Sequence, residues 1–318
     1  MDSMQKIPAV VIFAPTACGK TALAREIFGR GGLFGFKGTG EVVSADSQAV
    51  YRHLNIGTAK PSTEEMVDLP HHLVDVVSPE VQFGVGEFLE LADEACADIH
   101  SRGKLPVVLG GTGFYVRSFL LGLPPTPVSN LELRAELKKR LEVEGNGPLF
   151  HELKLIDPEY ARKIDLHDGY RICRALEVYH SSGRKLSSYE LPTELREGYG
   201  FCTIVLVRDR DDLYSRIDRR VDMMFEAGLE EEVERLRSMG CTESTPAMKA
   251  IGYREFFSGG SMSTDEIKGL IKFNTRRYAK KQYTFMRGIP GALEIQADDV
   301  KAVSDCIARF LDGFGKSS

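Results

Sequence analysis

The chain predicts an α/β fold, a parallel sheet with helices on both faces, interrupted by a helical insertion domain. Three observations carry that expectation. Short β-branched runs alternate with helical periodicity as far as Gly122, a glycine-bearing strand–turn–helix stands at the start, and strand character then disappears from Pro124 to about residue 195.

The elements follow in order. Pro8–Phe13 (PAVVIF) is an unbroken apolar run, as a strand buried on both faces requires. The turn Ala14–Thr21 leads into a helix over Thr21–Phe28, followed by a Gly-rich stretch, Gly29–Gly40, and a second strand, Glu41–Ala45. Phe88, Leu91, Ala95, Cys96 and Ile99 share one helical face. Leu105–Leu109 is a third strand, and Gly110-Gly111-Thr112 opens another helix. The Pro-rich PPTPVSN (Pro124–Asn130) then punctuates the chain. Helical patterns over Leu131–Glu144, Leu149–Ile156 and Asp157–Ile164 follow, and Asp168–His180 packs either with these or on the main sheet. Strand character returns at Phe201–Val207 and Ala292–Ile295, before a closing amphipathic helix from Asp298. The expected division is a core of residues 1–123 and 196–318, with 124–195 inserted.

Composition narrows the function classes. The 318 residues hold 41 Lys+Arg against 46 Asp+Glu, a net charge of −5 that argues against coating nucleic acid by bulk charge and leaves a local basic site open. Trp is absent, so any stacking on bases falls to Tyr, Phe or Arg. No apolar run is long enough to span a membrane, and MDSMQKIPAVVIF lacks the layout of a secretory signal. Six scattered cysteines without a C-x-x-C pair fit reduced thiols in the cytoplasm.

The turn Ala14-Pro15-Thr16-Ala17-Cys18-Gly19-Lys20-Thr21 has the tail of a P-loop, G-x-x-x-x-G-K-[ST], with Ala14 in place of the leading glycine. Backbone amides and the helix start face an anion there. Lys20 adds a point charge, and the Thr21 hydroxyl suits a bound Mg²⁺, so the turn is expected to hold a di- or triphosphate group. Ala14 is sterically acceptable because a residue before proline is held extended. Cys18, near Lys20 and a helix start, is either a thiol of lowered pKa or a small inert filler. The third strand ends in Gly-Gly-Thr, without the acid usual in P-loop kinases. The second strand ends at Asp46, expected beside the P-loop strand at the mouth of the crevice, as a general base, an N-cap or a metal's outer ligand. His71 and His72 read as loop-packing residues, since no third spaced ligand accompanies them.

Seven ordered motifs then carry a resemblance. SADSQAVYRHLNIGTAKPS (Ser44–Ser62), LPHHLVD (Leu69–Asp75), LGGTGFYV (Leu109–Val116) and RICRALEVYHSSGRKLS (Arg171–Ser187) are followed by RIDRRVDMMFEAGLEEEV (Arg216–Val233), MKAIGYREF (Met248–Phe256) and TRRYAKKQYTFMRG (Thr275–Gly288). Together they resemble the tRNA dimethylallyltransferases, which prenylate the adenine next to the anticodon, over nearly the whole chain. The resemblance implies a P-loop NTPase-like core whose cradle holds the diphosphate of dimethylallyl diphosphate in place of ATP, with Asp46, Thr21 and Arg220 catalytic, Mg²⁺ as cofactor, and transfer to N6 of adenine 37. It implies contacts to the tRNA anticodon stem-loop from Asp46, Ser47, Gln48, Ala49 and Thr112, and from Tyr170, Arg171, Ile172, Cys173 and Arg174 of the insertion. Lys249, Ala250, Ile251, Gly252, Tyr253 and Arg254 join them. Where the family has Gly, Ser and Trp, this chain has Ala14, Cys18 and Phe285, which bears on affinity more than on proton transfer. Eukaryotic members often add a zinc finger; with no Cys/His pairs before Ser318, the layout resembles the bacterial type, expected to act as a monomer.

The basic site is local. From Ile267 to Ala292 there are seven Lys and Arg residues and no acid, and on a helix Arg276, Lys280 and Arg287 share one side, with Arg277 and Lys281 beside it. That is a stripe able to track RNA phosphates, or equally a solvated face paired with acids elsewhere. Two alternatives stand beside tRNA prenylation: prenylation of free AMP, ADP or ATP, which needs neither insertion nor stripe, and a small-molecule kinase.

Overall fold

The computed structural model describes residues 6–32, 35–258 and 262–315; Leu33 and Phe34 of the expected Gly-rich stretch, and Met1–Gln5, lie outside them. In chain order the elements are β1 (Ile7–Phe13), α1 (Lys20–Phe28), β2 (Gly40–Ala45), α2 (Thr63–Asp68), β3 (His71–His72), α3 (Val85–Ser101), β4 (Leu105–Gly110) and α4 (Gly113–Leu121). Then come α5 (Leu131–Glu144), α6 (Asn146–Ile156), α7 (Pro158–Ala161), α8 (Gly169–Ser182), β5 (Tyr199–Val207), α9 (Arg210–Glu226), α10 (Leu229–Ser238), α11 (Arg254–Ser258), α12 (Thr264–Met286), β6 (Leu293–Gln296) and α13 (Val300–Phe314). Contacts divide them into two units, one running to Leu120 and resuming at Leu195, the other Leu121–Glu194.

The first unit is built on a parallel six-stranded sheet of order β3-β2-β4-β1-β5-β6. β1 is central and wholly buried from Ala9 to Phe13, so its unbroken apolar run needs no alternation. Val10 and Ile12 face a core shared with Leu23 and Ile27 of α1, Leu213 and Ile217 of α9, and Val303 and Ile307 of α13. α3 lies against β1, β2 and β4 with Phe88, Ala92, Cys96 and Ile99 buried. Two expectations are corrected. His71 and His72 are not loop residues: they pair with Val42 and Val43 as an edge strand, and His72 Nε2 contacts Glu41 Oε2 at 2.8 Å. β2 does not border β1, because β4 lies between them; strand adjacency is set by crossovers that no local pattern encodes.

The register puts Phe13, Gly110 and Ala45 level across β1, β4 and β2. The chain therefore leaves all three strands at one height, delivering the P-loop, Gly111-Thr112 and Asp46 to the same edge of the sheet. That convergence depends on glycine at the middle position: a Cβ on Gly110 would lie 2.1 Å from the Ala45 carbonyl oxygen.

The second unit is helical. Leu137, Leu149, Leu153, Ile172, Ala175 and Leu176 form its core, so α8 packs with α5 and α6. Asn130 caps α5, accepting from the amides of Glu132 and Leu133. Among the described residues, no helix is long and apolar enough to cross a membrane.

Gly110→Ala is expected to lower the urea midpoint, with a loss of about 2–3 kcal/mol from backbone overlap, whereas Gly86→Ala, with no atom within 4 Å of the new methyl, leaves it unchanged or raised. Equal midpoints for the two variants would mean that the strand ends can part freely.

Candidate active site

The P-loop follows β1 directly. Ala14 is buried with its amide donating to Gly110 O at 3.2 Å, and it is not among the residues with positive φ, so no glycine is needed there. Ala17 (φ 62°) and Gly19 (φ 102°) take left-handed conformations that turn the loop back on itself before α1 starts at Lys20. The amide of Thr16 donates to Gln282 Oε1, and that of Cys18 to Pro15 O. The amides of Ala17, Gly19, Lys20 and Thr21 have no protein acceptor among the described residues, which leaves a concave set of donors suited to an anion. Arg208 braces the loop from behind: its Nε donates to Cys18 O at 3.2 Å while Asp212 and Asp298 hold its guanidinium.

Cys18 is not the activated thiol that its position suggested. It is fully buried, its Sγ lies 3.8 Å from Leu206 O, and burial raises its pKa, outweighing the opposing charges of Arg208 and Lys20. It is the small filler of the loop's inner side.

A cavity of about 340 Å³ opens beside the loop. Lys20 and Thr21 line it from one side, Asp46, Ser47, Gln48 and Ala49 from another, and Arg220 and Met224 of α9 from a third. Burial depresses the Lys20 ammonium; the Asp46 carboxylate opposes that shift and Arg220 adds to it. Burial likewise lowers Arg220, against Asp46, while its Nη2 donates to Thr58 O at 3.3 Å. Two cations thus share an enclosed space with one carboxylate, an excess of positive charge that an anion would neutralise.

Asp46 is oriented by the turn after it. Its Oδ1 accepts from the Gln48 and Ala49 amides at 2.9 and 3.4 Å, an Asx-type arrangement that leaves Oδ2 without a protein partner among the described residues. Thr112 is tied to the same turn: its Oγ1 accepts from the Ser47 amide at 3.0 Å and donates to Ser47 Oγ at 3.3 Å. Gln48 carries a buried Oε1 with no hydrogen-bond partner, an acceptor facing a site that would be satisfied by a donor on a ligand.

Ile271, Thr275, Tyr278 and Gln282 of α12 line the cavity, and none of them is among the expected site residues. Gln282, 4% exposed, donates through Nε2 to Gly111 O at 2.7 Å. Tyr278 donates to the same oxygen at 3.4 Å, and burial, helped by the Asp46 charge, pushes its phenol up to about 12. The signal is in the sequence: Thr275, Tyr278 and Gln282 recur at helical spacing on one face, beside the basic residues of the stripe.

The other expected positions divide. Lys249, Ala250, Ile251, Gly252 and Arg254 line the cavity. Tyr253 does not: it is fully buried and donates to Glu232 Oε1 at 2.6 Å. Glu232, itself buried, also accepts from the amides of Asn55, Ile56 and Gly57, so this pair shapes the cavity wall from behind. In the helical unit Tyr170 and Arg171 are exposed, Arg171 beside Asp168 at 3.3 Å. Ile172 and Cys173 are corrected to packing residues, the first at 0% exposure and the second with Sγ 3.8 Å from Leu137 O. Arg174 is corrected to a clamp, donating to Thr126 Oγ1 and Pro127 O and pairing with Glu177. On α12 the stripe is half neutralised. Arg276 is held by Asp218, and Lys268 and Lys272 share Asp222, because α9 packs alongside. Arg277, Lys280, Lys281 and Arg287 are exposed, and none has an ion pair among the described residues.

The family model described as IPP transferase matches residues 49–289, a span that starts beyond the P-loop and Asp46. A tRNA dimethylallyltransferase 1 of Syntrophotalea carbinolica is 43% identical over 285 residues, covering 89% of this chain and 88% of that protein. The tRNA dimethylallyltransferase of Acetivibrio thermocellus is 42% identical over 296 residues, covering 91% and 92%. Among solved structures, the tRNA isopentenylpyrophosphate transferase of Bacillus halodurans aligns with a TM-score of 0.69 at 34% identity, over 98% of this chain and 99% of that one.

The half-buried Lys20 predicts a pH-linked penalty. The folded chain holds this proton less tightly than the unfolded one, so the penalty is fully present below the depressed value and is relieved as pH rises from there toward 10.5. Lys20→Met is therefore expected to raise the melting temperature of the ligand-free protein at pH 7 while weakening inorganic diphosphate binding by about 10–100-fold. A variant that melts lower yet binds diphosphate normally would place the ammonium outside the cradle.

Proposed function

Since the chain belongs to the IPP transferase family, we propose that it transfers the dimethylallyl group of dimethylallyl diphosphate to N6 of the adenine at position 37 of tRNA, releasing diphosphate. The observation that carries the reading is the convergence, around one cavity, of a four-amide cradle, Lys20 and Arg220 with an Asp46 Oδ2 that has no partner among the described residues.

The chemistry follows from these groups. N6 attacks the allylic carbon, the C–O bond to diphosphate breaks, and the electron pair leaves with diphosphate. The amides of Ala17, Gly19, Lys20 and Thr21, with Lys20 and Arg220, stabilise the charge that accumulates on the leaving group; Ala14, Pro15, Thr16 and Cys18 shape the loop that presents them. Asp46 Oδ2 takes the N6 proton, and its fixed orientation supplies most of what a weak nucleophile needs. Ser47, Gln48, Ala49 and Thr112 hold the adenine, which must leave the anticodon stack to reach a base at this depth; the unpaired Gln48 Oε1 is a ready acceptor for a base N–H. Mg²⁺ fits the donor set. Among the described residues the Thr21 hydroxyl lines the cavity without a hydrogen-bond partner, and no cluster of His, Cys, Asp and Glu could cage a metal alone. An ion there would be held by Thr21 and diphosphate oxygens, and would neutralise leaving-group charge.

Lys249 and Arg254 at the cavity rim, the exposed Lys280 and Lys281, and Tyr170 and Arg171 of the helical unit are the groups proposed to hold the anticodon stem-loop. The solved structure of a eukaryotic dimethylallyltransferase acting on tRNA, at 26% identity and a TM-score of 0.71 over 92% of this chain and 75% of that one, supports an RNA substrate. The free cysteines suit the reducing cytoplasm.

Incubation with labelled dimethylallyl diphosphate, Mg²⁺ and either unmodified tRNA or AMP tests the reaction: label is expected in tRNA, with Asp46→Ala slower by about 100-fold or more at unchanged tRNA affinity. Label in AMP and none in tRNA would overturn the reading. Separately, Lys280→Ala combined with Lys281→Ala should weaken tRNA binding and flatten the slope of log K against log salt by about 1–2. An unaltered slope would mean that these lysines face solvent in the complex.

A further inference from the structure

α12 carries two different chemistries on its two sides. Outward are Lys280 and Lys281; inward, beside the cavity, Gln282 is buried between two loops. Its Oε1 accepts from the Thr16 amide of the P-loop at 3.0 Å, and its Nε2 donates to Gly111 O at 2.7 Å. Gly111 precedes Thr112, which is bonded to the turn that carries Asp46. Asp46 and Lys20 belong to loops that leave different strands, and within the sheet β4 alone separates β2 from β1. One planar amide therefore spans the gap between the leaving-group side of the cavity and its nucleophile side. The fit is close: a Cβ on Gly111 would stand 2.5 Å from Gln282 Nε2 and 3.0 Å from Ala14 O.

We propose that Gln282 is a positioning residue for group transfer, setting the separation between the diphosphate cradle and the Thr112–Asp46 side of the cavity. Only a side chain with one acceptor and one donor on a short rigid fork meets both loops, and among charged or neutral alternatives a protonated glutamic acid comes nearest. Committing the Thr16 amide to Gln282 also defines the cradle, since it withdraws that donor and leaves the four amides from Ala17 to Thr21. The inference rests on the prenyl-transfer reading, but its first effect is on diphosphate binding, which needs no RNA.

The test uses the full chain with inorganic diphosphate as probe. Gln282→Leu removes both bonds, and is expected to weaken diphosphate binding about tenfold at every pH and to lower kcat, with tRNA affinity within twofold of the parent. Gln282→Glu should bind diphosphate about tenfold more weakly than the parent at pH 8, where a carboxylate faces the Gly111 carbonyl oxygen. The ratio should close to within twofold as pH falls and the carboxylic acid restores the donor. Parent-like diphosphate binding and kcat in Gln282→Leu would overturn the proposal. So would a Gln282→Glu deficit that does not change with pH, or a parallel loss of diphosphate and tRNA binding, the mark of general destabilisation. If Gln282→Leu does not fold, the low-pH recovery of Gln282→Glu decides alone. Failure of label transfer to tRNA with these diphosphate effects intact would count against the prenyl-transfer reading and leave the positioning role standing.

Discussion

The close approach of three strand ends is the constraint on which the rest of the site depends. Phe13, Gly110 and Ala45 are level in adjacent parallel strands, and the space between Gly110 and Ala45 admits no side-chain carbon. Gly111, the next residue, sits under Ala14 O and Gln282. A methyl group at either glycine would force the loops apart by more than a packed interior yields. Because nothing larger than hydrogen stands there, the P-loop and Asp46 can meet across an intervening strand, and Gln282 can reach both sides.

Around that junction the charges are held unequal. Lys20 and Arg220 are pushed toward neutrality by burial and pulled back by Asp46, while Arg208 is spared any part in the cavity by its own carboxylates, Asp212 and Asp298. One wall of the cavity is shaped by a buried carboxylate. Glu232 gathers three consecutive amides and the Tyr253 hydroxyl, so the Asn55–Gly57 turn is fixed by hydrogen bonds rather than by regular structure. The molecule's acidic balance is thus compatible with locally positive surfaces: acids on α9 neutralise Arg276, Lys268 and Lys272, and the unpaired cations that remain are concentrated at the end of α12.

Legibility followed the range of the interaction involved. The P-loop could be read from eight residues because its geometry is local: one extended pre-proline residue, a glycine at φ 102° and a helix start at Lys20. The central strands could be read because burial on both faces writes itself as continuous apolar sequence. His71-His72 could not, since a two-residue edge strand has no period to display. Ile172, Cys173, Arg174 and Tyr253 lie within motifs of the resemblance, yet each is occupied internally, by a core, a carbonyl, a clamp or Glu232. A motif reports that a segment matters and does not report which of its side chains face out.

The sequence by itself determined the chemistry available: an anion cradle with Lys20 and Thr21, a carboxylate at Asp46, a distant Arg220, and a helix whose end is basic. These depend on residue identity and on spacings of a few positions, which backbone geometry translates directly. Only the tertiary structure decided that β4 stands between β2 and β1, that α9 silences half of the basic stripe, and that Gln282 joins two loops more than 90 residues apart in the chain. Those are outcomes of packing between distant segments, where the partner of each residue is fixed by the path of the chain and not by its neighbours in sequence.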